Sequence, residues 1–166
     1  MAKKEAKKLD ELFHDTLKDI YFAEKKILAT LPKMEKAAQL PELKRAFAKH
    51  KTGTEGHVAR LEEVFAAIDK KPRVKTCDAI VGITDEGAEI MKEYKGSPAL
   101  DAGLLAAAQA VEHYEISRYG TLKQWAQQLG MKDAVRLLDQ TLQEEKKTDE
   151  SLTSLAEAAV NLAAAA

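Results

Sequence analysis

Hydrophobic side chains recur every three to four residues along most of this chain, the spacing that places them on one face of an α-helix. Four long stretches follow this pattern, at about residues 4–39, 42–69, 99–129 and 132–162. A shorter stretch covers about residues 76–94. The pattern therefore predicts four long helices and one short helix between the second and third long ones.

Proline and glycine indicate where these helices begin and end. Pro41 lies at the start of the second predicted helix, a favoured position for its restricted φ. Gly130 follows the fourth helix, as glycine often does after a helix C-terminus. Pro32 lies inside the first helix and predicts a kink or a tightened turn there. Gly53 and Gly56 lie within the second helix and can mark close packing by a neighbour.

Two helical hairpins account for the four long helices, because the turns near residues 39–40 and 130 are short. Between the hairpins lie roughly 30 residues, and a helix of about 19 residues at 1.5 Å per residue covers about 28 Å. Such a linker can carry the chain from one end of a bundle to the other. We therefore expect one all-α domain over residues 1–166, a ferritin-like four-helix bundle with one long crossover that contains an additional helix.

Composition agrees with a helical protein that has a nearly neutral surface. The 166 residues include only 8 glycines and 4 prolines, and 26 basic residues nearly cancel 27 acidic ones to a net charge of −1. This balance argues against nucleic acid as a partner, and we expect the lysine-rich residues 3–8 to form a solvated helix start. The lone Cys77 and the lack of a long apolar run predict a cytoplasmic protein without a membrane span.

Polar side chains interrupt the apolar face of every long predicted helix, where a solvated charge would not be expected. They are Glu24 on the first, His50, Thr54 and His57 on the second, Glu112, Glu115 and Tyr119 on the fourth, and Glu145 and Thr148 on the last, with Asp149 at its edge. Counting back from the turns places Glu24 within one helical turn of His57 and Glu115 level with Glu145. Each hairpin thus brings its polar side chains to one layer, about halfway along the helices.

Buried carboxylates cost several kcal/mol each unless they are protonated, paired or coordinated. No lysine or arginine on these faces is placed to pair with them, so bound metal is the simplest account. Carboxylate with imidazole suits iron, with manganese as an alternative, at one or two positions. The candidate ligands are Glu24, His57, Glu112, Glu115, Glu145 and Asp149.

Two other interpretations of these polar residues remain open. A metal-free network could share protons among the carboxylates and hydrogen-bond to Tyr21, Tyr119 and Thr148. His50 is more simply a core histidine than a ligand, and His113 lies off the buried face, at an interface or beside the site.

The match to a ferritin-like di-metal motif is partial. Such sites take one Glu from each of two helices and a Glu-x-x-His pair from each of the other two. Here Thr54 stands where the second helix should carry Glu, and Thr148 stands where the last helix should carry His. Glu55 is one residue away from the expected position and could lean towards the site.

Several segments resemble the bacterial YciE/YciF family. They are residues 21–25 (Tyr-Phe-Ala-Glu-Lys), 46–50, 57–62, 141–149 and above all 106–116, which contains Glu-His-Tyr-Glu at 112–115. The resemblance covers nearly the whole chain, with a departure around Thr52 and Gly53. It implies a ferritin-like, rubrerythrin-related bundle that forms a homodimer and is associated with bacterial stress.

Two functional hypotheses follow from these observations. The first is an iron-binding stress-response protein whose carboxylate and histidine site consumes dioxygen or peroxide, or oxidises Fe(II) as a ferroxidase does. The second is a non-catalytic, dimeric structural bundle with a degenerate metal site. The altered motifs at Thr54 and Thr148 favour the second, and the retained core carboxylates favour the first.

Overall fold

The computed structural model describes residues 6–166 and contains the five predicted helices. The elements are α1 (Leu9–Ala37), α2 (Pro41–Ala67), α3 (Asp78–Glu93), α4 (Leu100–Gln128), α5 (Lys132–Leu155), a π-helical turn (Ala156–Val160) and α6 (Asn161–Ala165). The first helix begins later than predicted, with Lys8 as its N-cap. Part of the lysine-rich start, residues 3–5, lies outside the described residues.

Two residues that were predicted to mark helix ends, Pro41 and Gly130, do so. Pro41 is the first residue of α2, as predicted. Gly130 has φ of +73°, and its left-handed conformation lets the Met131 N–H donate to the Ala126 carbonyl at 2.9 Å, which ends α4. Pro32 lies inside α1, as predicted, and the helix continues through it.

The last predicted helix, at about residues 132–162, is confirmed as one helical run, because α5, the π-helical turn and α6 follow one another without a gap. α5 ends at Leu155, and the π-helical turn Ala156–Val160 follows. A π turn bonds residues five apart and so holds more residues per turn than an α-helix. It keeps Leu152, Ala156 and Val160, which are four residues apart, on the buried face, whereas Leu155 is only partly buried.

The close helix approach that glycine permits lies at Gly103 rather than at the two glycines of α2. A Cβ atom at Gly103 would lie 2.7 Å from Cγ2 of Ile90, so α3 and α4 pack closely here. The nearest atom to such a Cβ at Gly53 is His57 Cε1, at 4.0 Å, and at Gly56 nothing lies within 4 Å.

Pairwise packing gives a ferritin-like bundle. α1 packs on α2 and α4 packs on α5, while α2 meets α5 and α1 meets α4; α3 lies against α4 and α1. Asp101, at the start of α4, accepts hydrogen bonds from the backbone N–H groups of Gln39 at 2.8 Å and Leu40 at 2.6 Å. α4 therefore starts at the end of the bundle where α1 gives way to α2. The segment with α3 crosses the length of the bundle, as the sequence predicted.

Apolar side chains fill the bundle at both ends, and charged side chains lie between them. Near one end the ring of Tyr21 meets the ring of Phe65 edge-on at 5.5 Å, and Phe13 is also fully buried. Near the other end Leu43 and Leu104 are fully buried. Among the described helices, none combines the length and apolarity needed to cross a bilayer.

Candidate metal centre

Six buried side chains from four helices meet in the middle layer of the bundle. They are Glu24 of α1, His50 and His57 of α2, Glu112 and Glu115 of α4, and Glu145 of α5, and none is more than 7% exposed. We call them the carboxylate–histidine cluster. Five of the six predicted candidate ligands lie in it.

One half of the cluster joins α2, α4 and α5. His50 Nε2 lies 3.0 Å from Glu112 Oε1. His50, Glu112, Glu115 and Glu145 each offer one nitrogen or oxygen atom, and these atoms all lie within 4.8 Å of one another. Because metal-bound nitrogen and oxygen lie about 2 Å from the ion, this spacing is close to that of donors around one cation.

The other half joins α1, α2 and α5. His57 Nδ1 lies 2.8 Å from Glu145 Oε1 and 3.6 Å from Glu24 Oε1. Glu24, His57 and Glu145 form a second group with donor atoms within 4.8 Å of one another. Glu145 belongs to both groups, so two neighbouring cation positions would share its carboxylate.

Most polar atoms of the cluster lack hydrogen bonds to the described residues. Both oxygens of Glu112, Glu115 and Glu145 are unpaired in this sense, as are one oxygen of Glu24, Nδ1 of His57 and both nitrogens of His50. The His50–Glu112 and His57–Glu145 pairs have ion-pair distances without hydrogen-bond geometry. Buried polar atoms are normally satisfied, and these carboxylate and imidazole groups could together hold a metal ion.

The carboxylates have strongly raised pKa values. Burial, followed by the charge of Glu145, raises the pKa of Glu24 to about 7. Burial also raises the pKa of Glu112 to about 8, and burial together with Glu145 and Glu24 raises that of Glu115 well above its usual value. Without cations, the cluster therefore retains protons near neutral pH.

The pKa values of the two histidines are shifted in opposite directions. Burial lowers the pKa of His50. Burial lowers that of His57 as well, but the adjacent Glu145 and Glu24 carboxylates more than offset this and raise its pKa to about 9. The carboxylates of Glu24 and Glu145 thus stabilise a positive charge beside them, here the protonated His57 ring.

Side chains around the cluster hold two of its members in place. Glu144 Oε2 lies 2.9 Å from Nε2 of His57, and Arg60 donates to the two oxygens of Glu144 at 3.0 and 3.1 Å. The hydroxyl of the buried Tyr119 donates a hydrogen bond to Glu24. These contacts orient the His57 ring and the Glu24 carboxylate.

Asp149 is the one predicted ligand that lies outside the cluster. Its carboxylate accepts a hydrogen bond from Gln109 Nε2 at 3.3 Å and lies 3.2 Å from His113 Nε2. Asp149 is four residues after Glu145, which places it about 6 Å further along α5. Its neighbours there are Gln109 and His113 of α4. His113 is largely exposed and lies beside Asp149, away from the cluster.

Three further polar side chains have partners elsewhere. Tyr21 donates to Glu62 at 2.8 Å, and the Thr148 hydroxyl donates to the Glu144 carbonyl at 3.1 Å. Glu55 is exposed and pairs with Lys51 at 2.8 Å. Of the partners expected in a metal-free network, only Tyr119 bonds to a cluster carboxylate.

The sequence interpretation took His50 as a core histidine and did not include Glu144 among the candidate residues. His50 precedes His57 by seven residues, so the two rings lie two turns apart on one face of α2, and that spacing was a usable signal. Glu144 lies off the buried face of α5, and its sequence position gave no indication of its contact with His57.

The donor set has the composition of a ferritin-like di-metal site with a different distribution. The ferritin-like pattern of two single Glu residues and two Glu-x-x-His pairs gives four carboxylates and two imidazoles. The cluster also has four carboxylates and two imidazoles, but both histidines come from α2 and two carboxylates come from α4. His50 therefore supplies the second imidazole that Thr148 does not.

The fold and the cluster define a ferritin-like helical bundle with buried carboxylate and histidine side chains. Residues 8–165 match the family described as "Domain of unknown function (DUF892)", and the chain belongs to this family. It is similar to protein YciF of Escherichia coli (strain K12), with 41% identity over 152 residues that cover 90% of this chain and 91% of that protein. The resemblance to the YciE/YciF family is thereby confirmed.

Solved structures agree with this assignment. The crystal structure of the E. coli stress protein YciF matches with a TM-score of 0.89 and 39% identity, covering 94% of this chain and 99% of that one. YcfI from Rhodopseudomonas palustris matches with a TM-score of 0.86 and 39% identity, covering 92% and 98%. The predicted fold class is therefore confirmed.

Proposed function

We propose that this chain is an iron-binding stress protein that holds two iron ions in the carboxylate–histidine cluster and consumes dioxygen or peroxide, or oxidises Fe(II). One observation carries the proposal: four buried carboxylates and two buried imidazoles face one another with most of their polar atoms unpaired among the described residues. The stress role extends to this chain what is said of E. coli YciF.

Each ion has a defined set of donors in this proposal. Glu24 and His57 would hold one ion, His50, Glu112 and Glu115 would hold the other, and Glu145 could contribute to either position because it belongs to both groups. Manganese is the alternative metal, because the same donors suit it. Iron bound here supplies electrons to the oxidant.

The protein's own residues prepare the site for this chemistry. Glu144 holds the Nε2 side of His57, which leaves Nδ1 facing Glu24 and Glu145. The Tyr119 hydroxyl donates a hydrogen bond to Glu24, which places a proton donor beside one proposed ion position. The apolar layers at both ends of the bundle keep water from reaching the cluster through those ends.

Metal content is the decisive measurement. Protein purified without chelator is expected to contain up to two equivalents of iron or manganese by elemental analysis, and anaerobic Fe(II) is expected to raise the melting temperature of chelator-treated protein. Glu145→Gln should lose most of this binding, whereas Glu150→Gln, on the exposed side of α5, should retain it. Negligible metal together with no thermal shift would refute the proposal.

Turnover is a separate question from binding. The Fe(II)-loaded protein should consume dioxygen or peroxide faster than Fe(II) in buffer. In Glu145→Gln the rate of oxidant consumption should fall close to the rate of Fe(II) in buffer alone. Metal binding without any consumption of either oxidant would leave a metal protein and eliminate the redox part of the proposal.

A non-catalytic, dimeric structural bundle is the second candidate function. It is favoured by Thr54 and Thr148 at positions where the ferritin-like motif has ligands. Exposed apolar side chains outside the cluster, among them Val74 and Tyr94, could contribute to a homodimer contact. A metal-free protein that light scattering shows to be a dimer would support this candidate.

A further inference from the structure

A cavity of about 310 Å³ lies between α2 and α5, beside the carboxylate–histidine cluster. His50 and His57 line it from α2, and Leu152 lines it from α5. At the surface its lining includes the exposed lysines Lys49 and Lys147, one from each helix. The cavity thus connects the exterior with both histidines of the cluster.

Its size exceeds what a small oxidant requires. A water molecule occupies about 30 Å³ of liquid, and small-molecule sites begin at about 300 Å³. Gly53 contributes to this space, because its missing side chain leaves the wall between His50 and His57 open. The cavity is therefore large enough for an organic molecule and about tenfold larger than dioxygen or peroxide needs.

The charges that line the cavity favour an anion. Neither Lys49 nor Lys147 has an ion-pair partner in the described part of the chain. Glu144 also lines the cavity, but Arg60 and His57 already bind its carboxylate. The unbalanced charge of the lining is thus positive.

The inner wall of the cavity offers apolar surface next to a buried histidine. Leu152 is 4% exposed and offers apolar contact. His50 is 7% exposed, and its Nδ1 has no hydrogen-bond partner among residues 6–166.

We propose that this cavity binds a small organic acid, with its carboxylate at Lys49 and Lys147 and its apolar body between Gly53 and Leu152. An inorganic anion would leave the apolar wall without contact, and a neutral molecule would not use the lysines. Any reaction of the bound acid at the metal cluster would depend on the proposed function being correct. Its binding does not, because the lysines and the cavity walls are separate from the proposed ligands, apart from His50 and His57.

Hexanoate is a suitable probe, with hexanol and inorganic phosphate as matched controls at equal ionic strength. Isothermal titration of the whole chain should show one hexanoate site, with affinity about tenfold higher than for hexanol or phosphate. Equal binding of hexanoate and hexanol, equal binding of phosphate, or no binding of hexanoate would overturn the proposal.

Variants test the position of the site. The double variant K49Q/K147Q should weaken hexanoate binding about tenfold, whereas K146Q, at the adjacent exposed lysine that does not line the cavity, should not. G53L should abolish binding by filling the cavity, with the helical circular dichroism unchanged. Unchanged affinity in K49Q/K147Q would overturn the proposal even if G53L failed to fold.

The titrations are repeated on metal-free and Mn(II)-loaded protein, so that the two proposals are separated. Hexanoate binding to a chain that takes up no metal would support the organic-acid site and refute the metal centre. Metal binding without hexanoate binding would refute the organic-acid site alone.

Discussion

Glu144 and His57 meet at 2.9 Å across the interface between α5 and α2, and the carboxylate holds the ring by the nitrogen that faces away from the cluster. A metal-binding histidine commonly donates its second N–H to a carboxylate in this way, which orients the ring and raises its basicity. Arg60 in turn holds Glu144.

Glu144→Gln should therefore weaken metal binding without removing a ligand. Loss of such a partner costs about 10–100-fold in metal affinity, and we expect a loss near the lower limit because the amide can still accept a hydrogen bond. Anaerobic Mn(II) titration gives the affinity. The matched variant Glu150→Gln on the same helix should bind as the wild type does, and an unchanged affinity in Glu144→Gln would assign Glu144 a purely structural role.

The metal-free protein should become less stable as the pH rises. The folded-state pKa values of Glu24, Glu112 and His57 are about 7, 8 and 9, against usual values of 4.5, 4.5 and 6.5. The folded state therefore holds more protons than the unfolded state in this window, and the free energy of unfolding falls as they dissociate. The lowered pKa of His50 acts in the opposite direction but only below its usual value.

Thermal unfolding of chelator-treated protein at about pH 5.5 and about pH 8.5 checks this sign. The melting temperature should be lower at the higher pH, and Mn(II) should recover part of the difference. Asp15 does not interfere, because hydrogen bonds from Lys18 and Lys7 lower its pKa to about 2, below the window. A melting temperature that is equal or higher at about pH 8.5 would contradict the burial of these groups in protonated form.

Asp101→Ala should destabilise the bundle, because Asp101 joins the turn of the first hairpin to the start of α4. The variant removes two hydrogen bonds, from the N–H groups of Gln39 and Leu40, and we expect a loss of about 2–4 kcal/mol in urea unfolding. Asp85→Ala, on the exposed side of α3, should change stability by less than about 0.5 kcal/mol. Equal midpoints for the two variants would show that this contact is dispensable.

Gly103→Ala and Gly120→Ala should have opposite effects, although both lie within α4. A Cβ at Gly103 would lie 2.7 Å from the stiff, β-branched Ile90, and we expect a loss of about 1–3 kcal/mol. A Cβ at Gly120 meets nothing within 4 Å, so alanine there should stabilise the helix by up to about 1 kcal/mol. Combining Gly103→Ala with Ile90→Ala should relieve the clash; if Gly103→Ala alone is neutral, the α3–α4 packing is looser than the structure indicates.

The sequence was sufficient where local geometry determines the outcome. Pro41 and Gly130 marked helix ends because their backbone preferences operate without tertiary contacts. Counting from the first turn brought Glu24 near His57, because antiparallel helices in one hairpin have the same rise per residue. Within each hairpin, therefore, the level of a side chain could be predicted.

The sequence was insufficient where two hairpins meet. His50 contacts Glu112, but α2 and α4 are joined only through the long crossover, so no turn sets their relative register. The contact of Glu144 with His57 likewise depends on how α5 rotates against α2. Asp149 lies beside Gln109 and outside the carboxylate–histidine cluster, a placement that its position along α5 did not determine.

Both imidazoles of the cluster are carried by α2, seven residues apart. Because one helix carries both rings, a slide or rotation of α2 as a unit would displace both rings together. In the ferritin-like pattern with one histidine on each of two helices, the rings could shift separately. Here one shift of α2, caused by a mutation or by a molecule bound between α2 and α5, would change the positions of the imidazoles in both halves of the cluster at once.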